Sequence, residues 1–228
     1  SIGPTEFYAN IESSKIFCRN FMKNNNLDIY SPNFLEIKYL DNVLNLTSIE
    51  ISKLSNFREA NINFIDINDK TIHIDRGCDI AIRDKFNKFF QSELSNFGKV
   101  VIKKDGLCGG KGVIVQNIDF TDTQVKDIIL KEIINSYINK YNILIEQKLE
   151  GQEFSLNTFT DGYHYIHCPP IQDYKRLLNN DEGPNTGGMG CVVYENNTLP
   201  FLTNEDIYKC QHINQEIIER LNLSLIHI

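Results

Sequence analysis

Apolar side chains recur at helical spacing between Glu12 and Lys23, at Ile16, Phe17, Phe21 and Met22, and predict one amphipathic helix. The Asn-rich run NNNLDIYSPN at 24–33 is its stop. Residues 40–82 are rich in Asn and Ile and only weakly patterned, with alternation at 62–67 and 71–74 that predicts short strands. A helix fits Arg83 to Ser95, with Phe86, Phe89 and Phe90 on one face and a stop at Asn96 and Gly98. The pattern then sharpens. KVVIKK (99–104) reads as a strand, DGLCGGKG (105–112) as a Gly-rich loop and VIVQN (113–117) as the returning strand of a hairpin. A long helix runs from Val125 to Tyr141 after the capping residues of DFTDT, and NILIEQKL (142–149) is again a strand. EFSLNTFT and YHYIHC form a hairpin across Asp161 and Gly162, DEGPNTGGMG (181–190) is a second Gly-rich loop, and a last helix spans Asn204 to Leu221. Short strands mixed with intercalated helices predict α+β layers.

Composition narrows the class. Of 228 residues, 41% are hydrophobic and 23% charged, with 13 Gly and 6 Pro, which excludes collagen-like, low-complexity and wholly disordered chains. The net charge of −7 gives no global footprint for nucleic acid or an anionic membrane, so any phosphate must be held by a local site. No stretch approaches the roughly 18 apolar residues of a membrane span. The six cysteines, at 18, 78, 108, 168, 191 and 210, show neither CxxC nor zinc-ligand spacing, and reduced thiols in a cytoplasmic protein fit best. Cys108 and the five His residues have no catalytic or metal spacing and read as structural.

The chemistry concentrates in VIKKDGLCGGKGVIV (101–115). Glycines 106, 109, 110 and 112 permit close backbone approach, and Lys111 lies within the loop, an arrangement suited to polyphosphate. A plain glycine turn in a surface hairpin is the other reading. It is not a Walker A loop, because Asp105 stands where the first Gly is required and Gly112 where Ser or Thr is required. Nor is it a dinucleotide fingerprint, since Val115 replaces the third Gly and a strand follows.

A hairpin lid with one lysine ending its first strand and another in its loop resembles the ATP-grasp fold, in which ATP lies between two α+β subdomains. The order of GPT (3–5), IESSKIF (11–17), VIKKDGLCGGKGVIV (101–115), IEQKLEGQEFS (145–155), QDYKR (172–176) and DEGPNTGGMG (181–190) is similar to that of the phosphoribosylamine–glycine ligase family. The resemblance implies a partial ATP-grasp fold. Residues 1–39 begin the core, 40–82 are an insertion atypical of the family, 83–148 form the lid subdomain, and 149–222 are part of the larger subdomain. The final LSLIHI matches a translated sequencing adapter, so 223–228 is expected to be a non-native tail, and both ends are expected to be cuts in a longer protein.

The resemblance also implies roles. Lys103 contacts the ATP phosphates and Gly109, Gly110, Lys111 and Gly112 cover them. Adenine lies beside Glu146, Lys148 and Leu149, and Glu153 takes the ribose hydroxyls, as a carboxylate can by accepting two hydrogen bonds. Gln147 and Lys148 replace an acidic residue and an aromatic usual in the family, and Tyr174 stands for its His. The glycine and phosphoribosylamine site falls on Asp173, Lys175, Arg176, Asn185, Thr186, Gly187 and Gly188. Read alone, DYKR is a charged turn and GPNTGGMG a loop, and Lys15 fits either this site or an ordinary helix surface.

The implied reaction joins glycine to 5-phospho-D-ribosylamine through glycyl phosphate, yielding ADP, phosphate and glycinamide ribonucleotide for purine synthesis. Lys103, Lys111 and Arg176 carry the catalytic charges, with Mg²⁺ or Mn²⁺ on the nucleotide. The family's metal ligands lie on a later strand, in a motif near EFNxRFGDPE that this sequence does not contain, so no metal ligand is expected here and the chain is expected to be inactive. Expected partners are small molecules, with neither nucleic acid nor membrane, and fusion to other purine-pathway domains stays open. The alternatives are another ATP-grasp carboxylate–amine ligase and a non-catalytic nucleotide-binding module.

Overall fold

The computed structural model describes residues 6–39, 80–109 and 112–221. The strands expected at 62–67 and 71–74, and the tail at 223–228, lie outside them. The chain divides into two compact units, residues 32–105 with 112–148, and residues 1–31 with 106–111 and 149–228.

The unit holding residues 32–105 and 112–148 is built on a four-stranded antiparallel sheet in the order β1-β4-β2-β3. Its elements are β1 (Phe34–Ile37), α3 (Ile80–Phe89), β2 (Val100–Lys104), β3 (Val113–Val115), α4 (Val125–Asn139) and β4 (Ile143–Gln147). Period-two alternation in β2 turns Val100 and Ile102 to one face and Val101 and Lys103 to the other. Against the first face pack Ile143 and Ile145 of β4, Phe86 of α3, and Ile129 and Ile133 of α4, all buried. Each such side chain contributes about 1.5–3 kcal/mol relative to exposure.

Local chemistry sets the ends of these elements. Helix α3 starts three residues before the expected Arg83 and continues as a single π turn from Phe90 to Leu94. Phe86 meets Phe89 and Phe90 at ring separations of 6.3 and 6.1 Å. Strand β3 ends at Val115, two residues earlier than its pattern suggests, because Asn117 turns to φ +63° and the Val115 N–H donates to Asp119 Oδ2 at 2.7 Å. Strand β1 went unread because FLEI follows a Pro and an Asn run that read as a stop; it pairs Phe34 to Ile37 with Glu146 to Ile143.

The other described unit contains α1 (Glu6–Ser13), α2 (Lys15–Asn24), the hairpin β5 (Thr158–Thr160) and β6 (Tyr165–His167), the pair β7 (Gln172–Leu178) and β8 (Glu182–Val192), and α5 (Asn204–Arg220). The single helix expected over 12–23 is two. Ser14 adopts an extended conformation and its Oγ accepts from the Phe17 N–H at 3.0 Å, so a residue suited to capping starts a new helix. Asn214 of α5 donates to the Leu156 carbonyl at 2.9 Å and to Thr158 Oγ1 at 2.8 Å, tying that helix to β5. Of the segment expected as a loop over 181–190, residues 182–190 lie in β8, paired with β7 at Glu182, Asn185 and Gly190, and QDYKR, which read alone suggested a turn, lies in β7. Among the described residues no helix is long and apolar enough to cross a membrane.

Candidate functional site

Lys103 and Glu146 come together on the sheet face opposite α3 and α4. Lys103 stands opposite Leu144 in the β2–β4 register, so Glu146 is its diagonal neighbour on the same face. The Glu146 side chain is 3% exposed and forms an ion pair with the Lys103 ammonium, which is 25% exposed. A buried carboxylate needs such a cation, and an ammonium has three N–H donors, of which this pair uses one. Sequence reasoning placed Glu146 beside the base and missed its side-chain role, although a lone acid in the apolar run ILIEQ was the available signal.

The segment after β4 is held at both ends of Lys148. Its N–H donates to the Lys99 carbonyl at 2.7 Å, and its Nζ reaches the Gln116 carbonyl at 3.3 Å. Gln116 is itself buried, accepting from the Val100 N–H at 2.8 Å and donating to Asp122 at 2.9 Å. The Gly112 carbonyl accepts from the Lys104 N–H at 2.7 Å and extends the hairpin past β3. Gly110 and Lys111 lie outside the described residues.

In the other unit, Lys15 Nζ donates to the Gly106 carbonyl at 2.6 Å, where the Gly-rich segment begins. Gly106 and Gly109 have φ of +89° and +55°, backbone states that favour glycine, with open space where a Cβ would stand. Leu149 is exposed, and among the described residues nothing takes its N–H.

Around Lys175, three expected site residues converge. Its ammonium forms an ion pair with Glu153 and lies 3.4 Å from Asp173 Oδ2. The Glu153 side chain is largely exposed. Asp173 Oδ1 is buried and has no hydrogen-bond partner among the described residues. Burial alone lowers the Lys175 pKa, but hydrogen bonding and charge from Glu153, then from Asp173, raise it on balance above the usual lysine value.

A bulge shapes this region. Tyr174 pairs with Gly190 and Arg176 with Asn185, so the four residues Thr186 to Met189 of β8 stand against Lys175 alone. Thr186 Oγ1 donates to the Lys175 carbonyl at 3.0 Å and accepts from the Gly188 N–H at 3.1 Å. Gly187 lies within the same bulge. Arg176, opposite Asn185, donates to the Gly183 carbonyl at 2.7 Å. Gly183 has φ +79°, and a Cβ there would meet Leu178 Cγ at 2.9 Å. Among the described residues no group of three or more His, Cys, Asp or Glu is placed to hold a metal ion.

Known proteins resemble this chain in sequence and in fold. Residues 68–227 match the family described as phosphoribosylglycinamide synthetase, ATP-grasp (A) domain. A phosphoribosylamine–glycine ligase of Methanococcus maripaludis is 31% identical over 226 residues, covering 99% of this chain and 41% of the relative. One from Methanocorpusculum labreanum is 39% identical over 126 residues, 54% of this chain and 27% of the relative. Among solved structures, the phosphoribosylamine–glycine ligase of Thermotoga maritima aligns over 96% of this chain and 41% of its own with a TM-score of 0.56 and 24% identity. A D-alanine–D-alanine ligase of Bacillus anthracis aligns over 96% of this chain and 51% of its own with a TM-score of 0.50 and 12% identity, a likeness of fold. This chain therefore spans about two fifths of the M. maripaludis relative's length. With its α+β architecture and its family match, the chain belongs to the phosphoribosylglycinamide synthetase ATP-grasp (A) domain family.

Proposed function

We propose that the chain supplies nucleotide- and substrate-binding groups of a ligase that joins glycine to 5-phospho-D-ribosylamine, with ATP converted to ADP and phosphate. Family membership supports the reaction class. The observation that carries the nucleotide reading is the Lys103–Glu146 pair: a buried carboxylate fixes a partly open ammonium just before the Gly-rich loop.

In this reading Lys103 neutralises ATP phosphate charge with the N–H donors that Glu146 leaves over, and Lys111 follows from the loop. Gly109, Gly110 and Gly112 let backbone amides approach the phosphates. The N–H of Leu149 and the backbone of Glu146 and Lys148 read the adenine edge, and Glu153 takes the ribose hydroxyls. The glycine carboxylate attacks the γ-phosphorus, and the bond to ADP breaks with its electron pair going to ADP. The ribosylamine nitrogen then attacks the acyl carbon of glycyl phosphate, the C–O bond to phosphate breaks with its electron pair leaving on phosphate, and the nitrogen loses a proton. Asp173 Oδ1, a buried acceptor without a partner among the described residues, suits an N–H of the amine substrate. Arg176, Lys15 and the Asn185–Thr186–Gly187–Gly188 segment supply donors for the substrates' anionic groups. A divalent ion such as Mg²⁺ would screen the polyphosphate; the described residues offer it no ligand cluster, and no step here depends on them for one. The expected setting is cytoplasmic purine synthesis with small-molecule partners.

Release of ADP from MgATP, assayed on the complete gene product across amino acids with phosphoribosylamine as acceptor, tests this reading. It expects release with glycine only. Release with another amino acid and not with glycine overturns it.

A further inference from the structure

Through its ammonium, Lys175 touches two other candidate site residues, both carboxylates, Glu153 and Asp173. Its position in the fold is specialised for this. It faces the four-residue bulge of β8, and Thr186 fixes its carbonyl, so main chain and side chain are held independently. Bulges re-aim side chains out of the regular alternation of a strand. An ammonium already shared between two carboxylates has little charge left for an anionic substrate, whereas a carboxylate as exposed as Glu153 needs a partner to hold one rotamer.

We infer that Lys175 is a positioning residue, whose ammonium fixes the Glu153 carboxylate for the nucleotide ribose and turns Asp173 so that Oδ1 stays free to accept an N–H. This rests on the proposed role of Glu153 at the ribose and gives that role a mechanism. It distinguishes Lys175 from Arg176, which bonds a backbone carbonyl on β8 and has neither carboxylate as a partner.

The experiment measures binding of MgATP and of Mg-2′,3′-dideoxyATP to the 228-residue chain, unsubstituted and as Lys175→Met, Lys175→Arg, Glu153→Gln and the Met/Gln double variant, with circular dichroism confirming the fold of each. Lys175→Met is expected to weaken ATP by about tenfold, the scale of one charge-assisted hydrogen bond, and to leave the dideoxy nucleotide unchanged. Glu153→Gln is expected to add nothing in the double variant, and Lys175→Arg to restore most of the ATP affinity. Equal losses for both nucleotides overturn the inference in favour of direct phosphate contact. No loss for either, or additive losses in the double variant, overturns it as well. Failure of the unsubstituted chain to bind MgATP overturns the nucleotide reading beneath it, and the inference with it. If Lys175→Met does not fold, Lys175→Arg and Glu153→Gln decide by the same comparison: losses that do not depend on the ribose hydroxyls overturn the inference.

Discussion

Lys103 and Glu146 form a diagonal ion pair across β2 and β4, with the carboxylate 3% exposed and the ammonium 25% exposed. The asymmetry has a consequence. Removing the lysine takes a cation away from a buried carboxylate, whereas removing the charge on the glutamate leaves a lysine that solvent can reach. Lys103→Met is expected to cost about 3 kcal/mol, and Glu146→Gln, whose amide oxygen still accepts from the lysine, about 1 kcal/mol. Urea unfolding of both variants checks the order, and a larger loss for Glu146→Gln would contradict it.

Gly183 carries the carbonyl that receives Arg176, in a conformation with φ +79° and with Leu178 Cγ 2.9 Å from where a Cβ would stand. Gly183→Ala is expected to destabilise by about 1–2 kcal/mol through backbone strain and this contact. Gly187→Ala, with no atom within 4 Å of its Cβ position, is expected to change stability much less. Thermal unfolding of the two variants side by side makes the comparison.

Ser14 separates α1 from α2 by accepting the Phe17 N–H at 3.0 Å. Its replacement by Ala is expected to cost about 1 kcal/mol, and replacement by Asp, an equally good cap, close to nothing. Urea midpoints for the two variants test this. Equal losses would mean that the break between the helices does not depend on the cap.

At the tip of the β5–β6 hairpin, His164 Nδ1 lies 2.8 Å from Asp161 Oδ2, and the N–H groups of Tyr163 and His164 donate to Asp161 Oδ1. Hydrogen bonding to Asp161, then its charge, raises the His164 pKa above 6.5, while the hydrogen bond from His164 and those of the backbone hold Asp161 below the usual carboxylate range. The raised histidine stabilises the fold fully below pH 6.5, and this contribution is lost as pH rises through its folded value. The lowered aspartate contributes above pH 3.8 and is lost as pH falls through its own folded value. The histidine ring resonances are expected to titrate with a midpoint above 6.5 that Asp161→Asn moves down. An unmoved midpoint would show that the pair does not form in solution.

What the sequence shows of this chain follows from how local each signal is. The β2–β3 hairpin, α4, β4 and α5 each carry their own period and caps, and they were legible. Ser14 was not, because the apolar spacing of Ile16, Phe17 and Phe21 continues a helical stripe while a single hydroxyl restarts the backbone. The 181–190 segment was read as a loop because five of its ten residues are Gly or Pro; only pairing with β7, seen in the register and not in the local pattern, makes 182–190 part of a strand. The residue types of the candidate site were chosen from chemistry and from resemblance. Their partners were not, since Lys103–Glu146 depends on register, Lys15–Gly106 joins residues 91 apart and Lys175–Glu153 joins residues 22 apart.

Binding of MgATP to the 228-residue chain, compared with a Lys103→Met, Glu146→Gln double variant that removes the cation and the buried charge together, tests the central claim most directly. Calorimetry is expected to show one ATP per chain and an affinity at least about tenfold weaker in the double variant, the loss of one charge-assisted phosphate contact. Equal affinity in the two proteins, or no binding by the unsubstituted chain, would contradict the assignment of Lys103 to the nucleotide phosphates.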